Sequence, residues 1–102
     1  MREGVLILAL LAAPAFAGGM SEERADELAR LVVQDCGSCH GLTLAGGLGP
    51  DIRPAALAGH TPATVAEVIL DGRPGTAMPP WRPLLSELEA AWIAEYLLEA
   101  AP

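Results

Sequence analysis

The sequence predicts an all-α domain, and three observations carry that reading. Apolar residues recur at helical spacing in three segments, capping residues stand where those segments begin, and no stretch alternates apolar and polar residues as a half-buried strand would. A chain of 102 residues has room for one such domain, which excludes multidomain enzymes and repeat arrays. The composition is 52% apolar, yet 19 residues are alanine and only 4% are aromatic. A core built largely of methyl groups buries little area per residue, so something beyond side chains is expected to complete it.

At the N-terminus, Arg2 precedes the apolar run Val5 to Ala13, followed by Pro14 and the small-residue pattern Ala15-Phe16-Ala17. These are the n-region, h-region and cleavage pattern of a secretory signal, and the run is too short to span a bilayer. Residues 1–17 are therefore expected to be removed after Ala17, leaving a domain at 18–102 outside the cytoplasm. Ser21 caps the first helix, with Glu22 and Glu23 at the positive end of its dipole. Ala25, Leu28, Ala29, Val32 and Val33 make one apolar face that runs into Cys36. The stretch Gly41 to His60 is rich in glycine and proline, broken by a short helical turn at Pro54 to Leu57. Thr61 and Pro62 start a helix through Val65, Val68 and Ile69 that stops at Gly72. A second irregular stretch, Arg73 to Pro83, leads to the capping box Ser86-Glu87-Leu88-Glu89. Leu88, Trp92, Ile93, Tyr96 and Leu97 form the stripe of the last helix.

Chemistry is concentrated in Cys36-Gly37-Ser38-Cys39-His40. C-x-x-C-H at a helix end is the attachment signature of c-type haem: two thiols add across the haem vinyl groups and the adjacent histidine becomes the proximal iron ligand. Three other readings compete. A redox dithiol wants a preceding strand and a parallel sheet, which this sequence lacks. A zinc site would have to count Cys36, Cys39, His40 and His60, two of them adjacent in sequence. A plain disulfide leaves His40 without a role. One covalently bound haem c explains all three motif residues, and it supplies the missing core; the haem-free chain is accordingly expected to be largely unfolded.

An iron with one histidine asks for a sixth ligand. Beyond the signal the sequence offers Met20, in the N-terminal stub, Met78 and His60. Met78 stands in Gly75-Thr76-Ala77-Met78-Pro79-Pro80-Trp81, a loop stiffened by proline between two helices. Such a loop loses little entropy in holding a thioether against a metal, so Met78 is the expected distal ligand, with His60 its rival.

Together these segments resemble class I monohaem cytochrome c, the all-α cytochrome c fold in which three to five helices wrap one covalently attached haem. Cys36 to Gly41, Gly46-Gly47-Leu48-Gly49-Pro50 and Leu70 to Trp81 are most similar to NirC-type cytochromes, small periplasmic haem proteins associated with dissimilatory nitrite reductase. The resemblance implies that the Pro50 carbonyl accepts from His40 Nδ1–H, that Trp81 lies beside a haem propionate and that Arg73 or Arg82 neutralises a propionate charge. It also implies that Trp92 or Tyr96 packs on the N-terminal helix. The lysine ring many cytochromes c use to dock acidic partners is missing.

A carrier of single electrons is the expected function, since histidine and methionine together leave no coordination position for substrate. The chain is thus expected to be no enzyme but a periplasmic electron donor in denitrification, serving nitrite reductase or the maturation of its haem cofactor. The alternative is a haem-based ligand-binding or sensor protein in which Met78 is displaceable. The net charge of −7, with six Lys plus Arg against 13 Asp plus Glu, excludes nucleic acid as a partner. Redox proteins with a basic or mixed docking face are expected instead, with the chain itself monomeric and without a membrane span once the signal is removed.

Overall fold

The computed structural model describes residues 19–99 and 101, and the expected signal segment at 1–17 lies outside them. Helix α1 (Glu22–Leu31) starts where the Ser21 side chain accepts from the Arg24 N–H at 3.1 Å. A single π turn, Val32–Cys36, carries it into α2 (Gly37–His40). One helical path therefore leads from the Ser21 cap to the C-x-x-C-H motif, with a wider turn just before the first cysteine; such π turns cluster at functional sites. The sequence pattern places an α-helix through this stretch and does not reveal the extra residue in its turn.

Two short helices frame the middle of the chain. Pro54 opens the four-residue α3 (Pro54–Leu57), and Pro62 opens α4 (Pro62–Asp71), where Thr61 accepts from the Thr64 N–H at 3.1 Å. At the end of α4, Gly72 lies at φ +69° and donates to the Val68 carbonyl at 2.8 Å. Helix α5 (Glu87–Glu99) begins with both arms of the capping box made: Glu89 N–H donates to Ser86 Oγ at 3.0 Å, and Ser86 N–H to Glu89 Oε1 at 2.9 Å. No strand occurs among the described residues.

The core gathers Leu28 and Val32 from the first helical path, Val65, Ile69 and Leu70 from α4, and Ala90, Ile93, Ala94 and Leu97 from α5. On α5 the buried face is turned from the expected stripe toward alanine, and Leu88 is left 46% exposed. Small residues at 90 and 94 let the helices approach closely, which yields more dispersion contact than the larger Leu88 would at that spacing. Trp92 and Tyr96 are half-buried against the core and stack on each other with ring centroids 5.1 Å apart. Helices α1 and α5 are also joined by Arg24 and Glu89, whose Nε–Oε2 distance is 2.7 Å.

Candidate cofactor site

A cavity of about 630 Å³ opens between the end of the first helical path, the 48–52 segment, α3, α4 and the loop after α4. Cys36, Cys39, His40, Pro50, Met78 and Trp81 all stand on its wall. These six residues are thus brought to one mostly apolar space, of a size typical of cofactor pockets at about 300–1,000 Å³.

On one side stands His40. Its Nδ1 lies 2.7 Å from the Pro50 carbonyl oxygen. A carbonyl only accepts, so Nδ1 carries the proton and Nε2 keeps the lone pair a metal would take. Gly49 packs flat against the ring: a Cβ there would sit 2.7 Å from Cε1 and 2.8 Å from Nδ1. Backbone bonds tie this segment to the motif, from Gly46 N–H to the His40 carbonyl at 2.7 Å and from Gly49 N–H to the Cys39 carbonyl at 2.8 Å. Leu44 anchors it. Although the residue lies at φ +64°, its side chain is fully buried, and its carbonyl accepts from Ile52 N–H at 2.9 Å. Burying a leucine is worth about 1.5–3 kcal/mol, enough to offset the roughly 1 kcal/mol or more that a left-handed non-glycine residue costs. Beside Pro50, Asp51 accepts from the Arg53 backbone N–H at 2.9 Å and pairs with its guanidinium at 2.7 Å. Hydrogen bonding to the Arg53 side chain and then its backbone holds the Asp51 carboxyl down to about 2.

Cys36 and Cys39 are half-buried free thiols. Burial, helped by the neighbouring Asp35 charge, pushes the Cys36 thiol up to about 11, so it stays neutral around pH 7. Among the described residues no group of three or more His, Cys, Asp and Glu side chains is gathered closely enough to hold a metal ion. The four-ligand zinc reading therefore finds no cluster here.

The Met78 loop lines the same cavity. Trp81 N–H donates to the Ile69 carbonyl and Arg82 N–H to the Leu70 carbonyl, each at 3.0 Å, which fastens the loop's exit to α4. At its entrance the α-carbon of Gly72 presses on the loop: a Cβ there would lie 2.6 Å from the Met78 carbonyl oxygen and 2.9 Å from Pro80 N. His60 is exposed, as a loop residue should be, yet it too borders the cavity. The two arginines considered for a propionate separate cleanly. Arg82 points away into ion pairs with Asp71 at 2.9 Å and Glu87 at 3.4 Å, whereas Arg73 stands on the cavity wall. Sequence reasoning missed Leu44, Thr76, Asp51 and Arg53; only the short Asp-x-Arg spacing after a proline hinted at any of them.

An apolar cavity, a histidine with its Nε2 free and two thiols on the same wall suit a flat, covalently attached macrocycle. Comparison with known proteins agrees. A family described as cytochrome C oxidase, cbb3-type, subunit III matches residues 23–97. The chain is 61% identical over 94 residues to cytochrome c55X of Paracoccus denitrificans, covering 92% of this chain and 91% of that one. A solved structure of the c-type cytochrome NirC, 47% identical, overlays with a TM-score of 0.77 and covers 81% of this chain and 100% of its own. Dihydro-heme d1 dehydrogenase of Pseudomonas aeruginosa is 41% identical over 69 residues, 68% of this chain but only 14% of that larger protein.

Proposed function

This chain belongs to the NirC-type monohaem c-type cytochromes, with haem c as its covalent cofactor, and from that premise we propose that it carries single electrons in the periplasm with His40 and Met78 as its axial ligands. When bound, haem c supplies an iron that changes by one charge and whose potential is set by its axial ligands. Cys36 and Cys39 would hold the group covalently through thioether bonds. His40 presents Nε2, and the Pro50 carbonyl fixes the tautomer and orientation that make this possible. That 2.7 Å contact is the observation that carries the reading. Met78 would supply the second ligand to the iron. Arg73 and Trp81, both on the cavity wall, would receive the propionates, Arg73 by charge and Trp81 by its indole N–H.

With both residues ligating, the iron would have no position open for substrate, and an electron would be what it exchanges. The redox partner belongs to denitrification, either nitrite reductase or an enzyme that matures its haem cofactor. The similarity to part of a dihydro-heme d1 dehydrogenase supports the second as much as the first. Export with cleavage after Ala17 brings the chain to the periplasm, and no described helix is long and apolar enough to cross a membrane. Stopped-flow mixing of the reduced protein with each candidate enzyme tests the proposal. Oxidation faster than that of a free haem peptide is expected with at least one of them, and equal rates throughout would overturn it.

A further inference from the structure

One side chain in the Met78 loop ties the loop's entrance at Arg73 to Met78 itself. Thr76 N–H donates to the Arg73 carbonyl at 3.0 Å, closing a turn with Pro74 and Gly75 in its middle; Gly75 at φ +82° is the third residue a type II turn requires. The Thr76 hydroxyl then donates to the same carbonyl at 2.6 Å and accepts from Met78 N–H at 3.3 Å. Arg73 N–H returns a bond to the Met78 carbonyl at 3.3 Å.

The two prolines after Met78 give that hydroxyl its leverage. Pro79 and Pro80 have no N–H to donate. From Met78 to Trp81, therefore, the main chain has two donors: Met78 N–H, on Thr76 Oγ1, and Trp81 N–H, on the Ile69 carbonyl. The second fastens the exit of the loop; the first fastens Met78 itself.

We propose that Thr76 is a positioning residue for Met78, its hydroxyl holding the Met78 main chain so that the thioether stays presented to the cavity, and that it sets how easily an external ligand displaces Met78. The inference rests on Met78 being the distal ligand. Thr76 touches no reacting atom; it acts through the loop. An incoming ligand needs the open form of the loop, and its apparent affinity scales with the population of that form. Loss of two neutral hydrogen bonds should raise that population at least about fivefold.

The test uses the haem-loaded protein and imidazole as the competing ligand, with the weak long-wavelength band of thioether-ligated oxidised haem as a second readout. Thr76→Val, close in shape but lacking the hydroxyl, should bind imidazole at least about fivefold more tightly and show a weakened band, with far-ultraviolet helicity unchanged. Thr76→Ser keeps the hydroxyl and should stay within about twofold of wild type. Met78→Ala should lose the band entirely. If Met78→Ala responds and Thr76→Val does not, or if Thr76→Ser behaves like Thr76→Val, the positioning role is wrong while the ligand assignment stands. If Met78→Ala keeps band and affinity, the assignment itself fails and the inference falls with it.

Discussion

The two sides of the cavity are built on different plans. The His40 side is fixed many times over: the ring is bonded to Pro50 and pressed by Gly49, both on a segment tied back to Cys39 and His40 and anchored by the buried Leu44. On the Met78 side the chain from Arg73 to Pro80 is exposed except at half-buried Met78, and it is held by a turn, a hydroxyl, one long bond from Arg73 N–H to the Met78 carbonyl and contact with Gly72. Redundant constraint suits a ligand that must never leave. Sparse constraint suits a ligand whose bond strength is to be adjusted, because each tie is a separate lever on the loop's open population.

The largest break in this contrast should come from Gly49→Ala. Its Cβ would fall within 2.8 Å of two ring atoms of His40, so either the ring or the Gly47–Pro50 backbone must shift and the Pro50 bond is lost. Overpacking of this kind should cost about 1–3 kcal/mol or more, read from denaturant unfolding, with haem incorporation falling in parallel. Wild-type stability for this variant would show the His40 side to be as compliant as the other.

Gly72→Ala comes next. Alanine there is strained at φ +69° and meets the Met78 and Pro79 main chain, so the loop should move off while the thioether bonds and His40 stay in place. A stability loss of about 1–2 kcal/mol is expected, together with loss of the long-wavelength band. Retention of that band would mean that the loop has more freedom than its contacts indicate.

Protonation of Asp51 should produce the smallest effect, and it acts on the His40 side. Asp51 has a folded value near 2, below its ordinary 3.8, so its pairing with Arg53 contributes stability above the ordinary value and loses it as pH falls toward 2. The pair is open to solvent and the contribution is screened accordingly. Comparing thermal midpoints of wild type and Asp51→Asn, the gap between them should close over that window; a gap that persists at pH 2 would show that the carboxylate charge is not its source.

What could be foreseen in the sequence was whatever local chemistry decides. The Ser21 and Thr61 caps, the Ser86–Glu89 box, the turn beginning at Pro54 and the stop at Gly72 all depend on residues within four positions of one another. The C-x-x-C-H motif is likewise contiguous, and the family it points to is the one the comparisons identify. Leu44 could not be foreseen. It sits in irregular backbone between Leu42, 72% exposed, and Leu48, 82% exposed, and no periodicity separates the three. The choice between Arg73 and Arg82 was equally hidden, because it depends on Asp71 and Glu87 having already engaged Arg82. The expected α5 stripe has the wrong centre, since hydrophobicity ranks Leu88 above Ala90 whereas close helix packing prefers the alanine.

The π turn at Val32–Cys36 bears on how this protein can change over evolutionary time. Such a turn accommodates one residue more than the α-helix around it. Deleting one residue from Val32 to Asp35 would restore a regular helix and leave the cysteines and His40 intact in sequence, with the turns on either side kept close to their present phase. Leu28 would stay on the core and Arg24 would still face Glu89. Descendants of this sequence could therefore shorten the turn by one residue at less structural cost than a deletion anywhere else along the same helical path, where each residue removed turns the preceding helix by about 100°.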